Sequence, residues 1–262
     1  MNNIQTIILC GGLGTRLQEE TEYRPKPMVP IGGKPILWHI MKIYSHYGFT
    51  NFVLPLGYKG EQIKEFFYHY HLMTNPCRIS LRDHHNITFF SDEPDDVIDW
   101  NILCVDTGES TLKSGRLRCV EKYLTEDTIM ITYGDGVADI NIEDLVRFHK
   151  SQGKIATITA VSPAAQFGEL KIDGNLITRI KEKEHISPHY VSGGFMVVNK
   201  DPFFKILDET TELEYGTFRH LADIKQLASY KHTGRWACMD TIRDREYLNS
   251  LWDNKDAFWK VW

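Results

Sequence analysis

The first apolar run and the glycine-rich loop after it constrain this chain more than any other feature. Thr6-Ile7-Ile8-Leu9 is short, apolar and β-branched at its start, which predicts a buried strand. The loop Gly11-Gly12-Leu13-Gly14-Thr15 follows, and its glycines let the backbone turn tightly and direct successive N–H groups at one point. Arg16 adds a forked donor suited to phosphate oxygens, and Lys26 adds a point charge from a proline-stiffened segment. Together these features predict a polyphosphate site.

The spacing of the loop excludes two common phosphate-binding motifs. A dinucleotide fingerprint requires Gly-x-Gly-x-x-Gly, but Leu17 stands where the third glycine is needed. A dehydrogenase with a Rossmann domain is therefore disfavoured. A P-loop ends in Gly-Lys-Ser/Thr, whereas this loop continues as Gly14-Thr15-Arg16. A glycine loop alone is also compatible with a plain strand-to-helix turn. Whether this loop binds phosphate therefore depends on the motifs in the rest of the chain.

Length and composition indicate an ordinary globular α/β protein. The chain has 262 residues, enough for one large domain or two small ones, and we expect a single domain over residues 1–262. A net charge of −5 without a basic run argues against nucleic-acid binding. Since no segment resembles a signal peptide or a membrane span, we expect no membrane partner and a cytoplasmic location. Five scattered cysteines indicate neither a disulfide framework nor a zinc site.

Strand-like and helix-like segments alternate through the first two-thirds of the chain. The predicted strands are 5–10, 51–56, 128–134 and 156–161, with 168–172 and 195–199 later, and the predicted helices are 35–48, 61–73, 114–124 and 142–152. Strands joined by helices of this length form βαβ units, so we expect an α/β fold with a Rossmann-like, mainly parallel mixed sheet flanked by helices. Segment 75–112 breaks the alternation. Segment 243–262 is predicted to be helical, with aromatic residues that dock on the domain or on another subunit.

Three further clusters carry polar chemistry at the ends of apolar runs. Asp135 follows the run Ile129–Tyr133 between two glycines, and Asp240 follows Trp236–Met239. An acid at the ligand-binding edge of a sheet suits Mg²⁺, which prefers one or two carboxylates together with phosphates and water, although each acid alone is compatible with an ordinary turn. The third cluster is a charged segment at Glu182-Lys183, followed by a Ser-Gly-Gly turn that leads into an apolar strand.

In their order along the chain, these motifs resemble the sugar-1-phosphate nucleotidylyltransferases nearly end to end. Segments Gly32–Lys42, Gly57–Gly60, Val105–Gly108 and Gly115–Leu117 resemble the branch that uses CTP. The resemblance implies a nucleotide-diphospho-sugar transferase fold and an enzyme that joins a nucleoside triphosphate to a sugar 1-phosphate, releasing pyrophosphate. It favours CTP and glucose 1-phosphate as substrates. It also implies Mg²⁺ as the cofactor and a homo-oligomer.

The resemblance also implies a role for each residue that matches a family motif. The residues implied to bind the nucleotide are Leu9, Gly11, Gly12, Gly14, Thr15, Arg16, Lys26, Thr111, Gly115, Arg116, Tyr133 and Gly134. Arg16 would contact the β- and γ-phosphates and Lys26 the α-phosphate, and both would be catalytic together with Lys183. The residues implied to bind the acceptor are Tyr133, Glu182, Lys183, Ser192 and Gly193. Asp135 and Asp240 would hold the Mg²⁺.

The predicted acceptor pocket departs from the family pattern. Glu184 follows Lys183 where the family has proline, which removes a stiffening element, and Ser192 replaces an asparagine with a shorter hydroxyl. Lost hydrogen bonds to a substrate hydroxyl change discrimination sharply. The alternatives are therefore another acceptor phosphate, UTP or dTTP as the donor, and a non-catalytic regulator that binds nucleotide sugars.

Overall fold

The computed structural model describes residues 3–82, 86–90, 98–163, 168–182 and 189–262. Its strands are β1 (Gln5–Leu9), β2 (Pro30–Ile31), β3 (Lys34–Pro35), β4 (Asn51–Leu56), β5 (Cys77–Ser80), β6 (Asn86–Phe89), β7 (Asn101–Asp106), β8 (Thr128–Tyr133), β9 (Gly136–Ala138), β10 (Ala156–Val161), β11 (Glu169–Asp173), β12 (Leu176–Lys181), β13 (Val191–Asn199), β14 (Leu227–Lys231) and β15 (Trp236–Cys238). Its α-helices are α1 (Gln18–Thr21), α2 (Ile36–His46), α3 (Gly60–Tyr68), α4 (Tyr70–Thr74), α5 (Lys113–Val120), α6 (Ile142–Gln152), α7 (Lys200–Ile206), α8 (Arg219–Asp223) and α9 (Ile242–Asp253). None of the helices in these ranges has the length and apolar character needed to cross a bilayer.

A seven-stranded sheet, in the order β14-β10-β13-β8-β1-β4-β7, forms the centre of the described part. Strand β1 is parallel to both of its neighbours, β4 and β8, while β13 is antiparallel to β8 and β10. Helices pack on both faces, so the central strands are apolar at nearly every position. This arrangement confirms the predicted α/β class with a mainly parallel, mixed sheet.

Strand β1 separates two apolar clusters because successive side chains point to opposite faces of a sheet. Ile8 belongs to a cluster that includes α2, and the stacked rings of Tyr44 and Phe195 lie there with centroids 5.9 Å apart. Ile7 belongs to a second cluster with Leu117 of α5 and with α7. The buried first strand predicted from sequence is confirmed, and it fixes where the loop after Leu9 emerges.

Two parts of the chain before the C-terminal segment differ from the predicted secondary structure. Segment 75–112, for which no strand is predicted, contains the β5–β6 hairpin and the edge strand β7. The side chains of these strands are exposed or only partly buried, so the sequence shows little alternation of apolar and polar residues there. The predicted helix 61–73 is divided at His69 into α3 and α4.

The prediction of a helix through residue 262 is wrong, because α9 ends at Asp253. Lys255 adopts a φ of 59°, which a right-handed helix cannot continue through. The turns that follow bring Trp259 into the core, where its indole Nε1 lies 3.3 Å from the Nδ1 of buried His39. The terminal aromatic residues Phe258 and Trp259 therefore dock on their own chain.

The carboxyl ends of two adjacent parallel strands bring the sequence motifs together. Leu9 of β1 is in register with Tyr133 of β8, so the glycine loop and Gly134-Asp135 begin side by side. Strand β15 pairs with β9, and the Met239 amide donates to the Asp135 carbonyl at 2.9 Å. The pairing places Asp240 beside Asp135, although the two are far apart in sequence.

Candidate active site

A cavity of about 520 Å³ opens at the carboxyl ends of β1 and β8. It is lined by most of the site residues predicted from sequence. These are Leu9, Gly11, Gly12, Gly14, Thr15, Arg16, Lys26, Thr111, Arg116, Tyr133, Gly134, Asp135, Ser192 and Asp240. The topology thus gathers residues from six separate parts of the chain around one concave surface, as expected for an α/β sheet.

Gly14 is the glycine of the loop that adopts a left-handed backbone conformation. Gly14 has a φ of 64°, and a Cβ there would lie 2.7 Å from the Cγ2 of Thr21. Its carbonyl accepts from the Leu17 amide at 2.9 Å, which turns the chain into the 3₁₀ helix Thr15–Leu17. A substituted residue would meet both a left-handed backbone and a steric contact. The turn therefore places the Arg16 side chain at the cavity mouth, where 73% of it is exposed.

The guanidinium of Arg116 holds this loop in place by a hydrogen bond to the Gly11 carbonyl. Its side chain is buried, and its Nη1 donates to the Thr107 hydroxyl and the Gly108 carbonyl at 2.7 Å and to the Leu56 carbonyl at 3.1 Å. Its Nη2 donates to the carbonyls of Gly11 and Glu109, both at 2.9 Å. One guanidinium thus ties the ends of β4 and β7 to the glycine loop. A planar fork with five donors suits this task better than an ammonium.

Lys26 forms the centre of the charged cluster in the cavity. Its Nζ donates to Oδ2 of Asp135 and to Oδ1 of Asp240, each at 2.6 Å, and Nη1 of Arg16 lies 3.0 Å from the other oxygen of Asp240. Burial lowers the pKa of Lys26, but the two carboxylates outweigh this effect and leave the pKa above its ordinary value. Burial likewise raises the pKa of Asp240, yet the hydrogen bond from Lys26 and the charges of Lys26 and Arg16 bring it below its ordinary value. Lys26 and Asp240 are therefore both charged at neutral pH.

The two carboxylates fit a hard divalent cation. Each directs one oxygen at the same point, which the Lys26 ammonium marks. In the described ranges, no cluster of three or more His, Cys, Asp or Glu side chains is arranged to hold a metal by itself. Two carboxylates without further protein ligands suit Mg²⁺, which keeps waters and binds substrate phosphates.

A second polar network lies in the lining of the same cavity. The Tyr133 hydroxyl donates to Oε1 of Glu214 at 2.5 Å, and the Lys113 ammonium donates to the same oxygen at 2.6 Å while lying 5.5 Å above the Tyr133 ring. Burial raises the pKa of Glu214, but these two hydrogen bonds outweigh it and leave the pKa low. Glu212 also lines the cavity. Sequence reasoning missed both glutamates, because neither belongs to a recognisable motif, and Glu214 begins a single π-helical turn, Glu214–Phe218.

Three other predicted residues within the described ranges do not line the cavity. Gly115 lies in α5, where a Cβ would meet the Thr111 side chain. The Gly193 carbonyl accepts from the Trp236 indole at 2.9 Å, and Glu182 follows the exposed hairpin strand β12. Their predicted contacts to ligand stay predictions. Lys183 lies outside the described residues.

Comparison with known proteins shows the family to which this chain belongs. A family model described as nucleotidyl transferase matches residues 5–243. This chain belongs to the nucleotidyl transferase family. The nucleotidyl transferase is 42% identical to glucose-1-phosphate cytidylyltransferase of Salmonella typhi, over 99% of this chain and 100% of the relative. It is 38% identical to the probable glucose-1-phosphate cytidylyltransferase of Bacillus subtilis, again over 99% and 100%.

Solved structures agree on the fold of this nucleotidyl transferase. HddC from Yersinia pseudotuberculosis superposes with a TM-score of 0.68 at 19% identity, covering 95% of this chain and 99% of HddC. A putative glucose-1-phosphate thymidylyltransferase from Bacillus anthracis superposes with a TM-score of 0.64 at 19% identity, covering 95% and 94%. At this identity the superpositions show a shared fold.

Proposed function

We propose that this enzyme transfers the cytidylyl group of CTP to glucose 1-phosphate, giving CDP-glucose and pyrophosphate. The full-length similarity to two cytidylyltransferases supports the choice of substrates. The structural observation that carries the proposal is the cluster of Lys26, Arg16 and two carboxylates directly beside the glycine loop. Such a cluster is suited to a polyphosphate bound together with a divalent cation.

The reaction needs charge neutralisation more than it needs a base. A sugar-phosphate oxygen is already a nucleophile at neutral pH, so the obstacle is the repulsion between two polyanions. In the proposal, backbone N–H groups of Gly11–Gly14 and the exposed Arg16 side chain hold the β- and γ-phosphates. Lys26 neutralises the α-phosphate, where the acceptor attacks in line with the departing pyrophosphate.

Asp135 and Asp240 are proposed to hold Mg²⁺, which when bound supplies further positive charge at the α-phosphate and the leaving group. Thr111 and Arg116 are proposed to face the base and ribose, with Tyr133 between nucleotide and acceptor. Ser192 lines the same cavity and is proposed to bind a sugar hydroxyl. Gly115, Glu182, Lys183 and Gly193 complete the proposed contacts.

A pyrophosphate-release assay tests the proposal. Each of the four nucleoside triphosphates would be paired with a panel of phosphorylated acceptors, using the wild type and an Asp240→Asn variant. We expect the fastest release with CTP and glucose 1-phosphate, and little release by the variant. Faster turnover with UTP or dTTP, or with another acceptor, would revise the substrates. Tight binding of a nucleotide sugar without any turnover would favour a regulatory protein.

We also propose a homo-oligomer in the cytoplasm. Support for the oligomer comes from the β11–β12 hairpin, where Ile172, Leu176 and Ile180 are exposed, because an isolated two-stranded hairpin is marginally stable without cover. The C-terminal aromatic residues no longer support it, since Phe258 and Trp259 pack on their own chain. Light scattering on the purified protein tests this proposal, and a monomer at micromolar concentration would contradict it.

A further inference from the structure

We infer that Lys26 occupies the cation position between Asp135 and Asp240 in the nucleotide-free enzyme, so that the divalent metal enters only together with the triphosphate. The inference rests on the proposed function, because it concerns the proposed metal carboxylates. It gives Lys26 a second role besides contact with the α-phosphate. The lysine would position the two carboxylates before the substrate arrives.

The Lys26 ammonium already engages one oxygen of each carboxylate. One oxygen of each carboxylate lies 2.6 Å from the Lys26 ammonium, so both donors are already directed at a single positive centre. A Mg²⁺ ion binds oxygens at about 2.0–2.1 Å, so an ion held by these same two oxygens would displace the ammonium. Ammonium and metal therefore compete for one position.

The charge balance of the cluster also favours entry of the metal together with the triphosphate. Asp135 and Asp240 carry two negative charges, and Lys26 and Arg16 carry two positive charges within 3.0 Å of them. A divalent ion entering alone would leave the cluster with excess positive charge in a partly buried site. A triphosphate brings several negative charges, which accommodate the metal and both basic side chains together.

Lys26 can leave the carboxylates without a change in the backbone. It stands in the 3₁₀ helix Lys26–Met28, and the flanking prolines Pro25 and Pro27 restrict the chain there. Its four-carbon stem is flexible, so its ammonium can turn toward a bound α-phosphate by side-chain rotation alone. The Asp135 carbonyl, held by the Met239 amide at 2.9 Å, keeps the two acid-bearing segments together meanwhile.

Binding of Mn²⁺, followed by electron paramagnetic resonance, tests the inference. The wild type, Lys26→Met and Lys26→Arg would be titrated at pH 8 without nucleotide and with CTP, after subtraction of Mn²⁺ binding to CTP alone. We expect Lys26→Met to bind Mn²⁺ without nucleotide at least about tenfold more tightly than the wild type. Lys26→Arg keeps the charge and should bind it as weakly as the wild type. The wild type should gain the metal when CTP is added.

Two controls keep the outcomes distinct. Thermal unfolding establishes that each variant is folded, and a double variant, Lys26→Met with Asp135→Asn, should lose the metal again. Equal Mn²⁺ binding by the wild type and Lys26→Met without nucleotide would overturn the inference and leave the proposed function intact. Absence of Mn²⁺ binding by the wild type even with CTP would overturn the proposed metal site, and the inference with it.

Discussion

The buried guanidinium of Arg116 donates to the carbonyl oxygen of Gly11 at 2.9 Å, joining residues 105 positions apart in the sequence. The same guanidinium bonds to the ends of β4 and β7 through Leu56 and Gly108. The shape of the glycine loop therefore depends on helix α5 as well as on its own glycines. A phosphate-binding loop that is held from outside in this way is ordered before its ligand arrives, which lowers the entropy lost on binding.

Replacing Arg116 by lysine should weaken both folding and nucleotide binding. An ammonium has three donors and no planar fork, so at least one buried carbonyl loses its partner, at a cost of about 1–3 kcal/mol each. We expect the free energy of unfolding in urea to fall by about 2–4 kcal/mol. We also expect the Kd for CTP, measured by calorimetry, to rise at least about tenfold.

Arg147→Lys is the matched control, because Arg147 lies on the surface of α6, where its side chain is 75% exposed and its Nη1 lies 2.9 Å from Oδ1 of Asp144. Its unfolding free energy should stay within about 0.5 kcal/mol of the wild type. If Arg116→Lys bound CTP and unfolded like this control, the bracing role of Arg116 would be refuted.

Two glycines of the loop should respond differently to alanine. Gly14 has a φ of 64° and a Cβ there would lie 2.7 Å from Thr21, whereas a Cβ on Gly12 would meet no heavy atom within 4 Å. Gly14→Ala should therefore lower the unfolding free energy by about 1–3 kcal/mol, and Gly12→Ala should change it by less than about 0.5 kcal/mol. Urea denaturation of both variants checks this, and equal effects would contradict it.

Many of the predicted site residues that the structure brings together stand where an apolar strand ends. The loop after Leu9 and the acids Asp135 and Asp240 all follow such runs, and parallel strands end at one edge of the sheet. Pattern and topology together were enough for these positions. The acceptor side was less predictable, because Glu184 and Ser192 depart from the family pattern.

Other features depend on contacts that no local pattern reveals. Glu214 reaches Tyr133 from 81 positions away, on a π-helical turn without a motif. The contact of Arg116 with the nucleotide stays a prediction, but the hydrogen bonds of its guanidinium to four backbone carbonyls and one hydroxyl could not be read from the sequence. The strand β7 was not predicted because an edge strand is only partly buried and lacks a clear apolar alternation.

Removing the Lys26 charge should nearly abolish turnover while leaving the protein soluble. Lys26→Ala removes the cation proposed to face the α-phosphate, so kcat/KM for CTP should fall by about 10²–10³-fold in the pyrophosphate-release assay. The kcat/KM of Arg16→Ala for CTP should fall by a similar factor. Lys150→Ala, on the exposed side of α6, is the control and should retain wild-type activity. A fully active Lys26→Ala enzyme would overturn the site assignment.

Buried His39 should make the stability of the protein depend on pH below neutrality. The Nε2 of its ring lies 2.8 Å from the Ile31 carbonyl, and burial lowers its pKa from 6.5 to about 4. The folded state thus favours the neutral ring, and unfolding takes up a proton once the pH is below 6.5. The stabilisation is fully present above pH 6.5 and is lost as the pH falls toward 4, at about 1.4 kcal/mol per pH unit.

Urea denaturation between pH 7.5 and about pH 4.5 measures this loss. His39→Gln should be less stable than the wild type at pH 7.5, because it disturbs the contact with Trp259, but its free energy of unfolding should fall less steeply with decreasing pH. His46→Gln is the control, since His46 lies at the end of α2 outside the apolar cluster that encloses His39, and it should keep the wild-type slope. Equal slopes for His39→Gln and the wild type would show that His39 does not set the pH dependence.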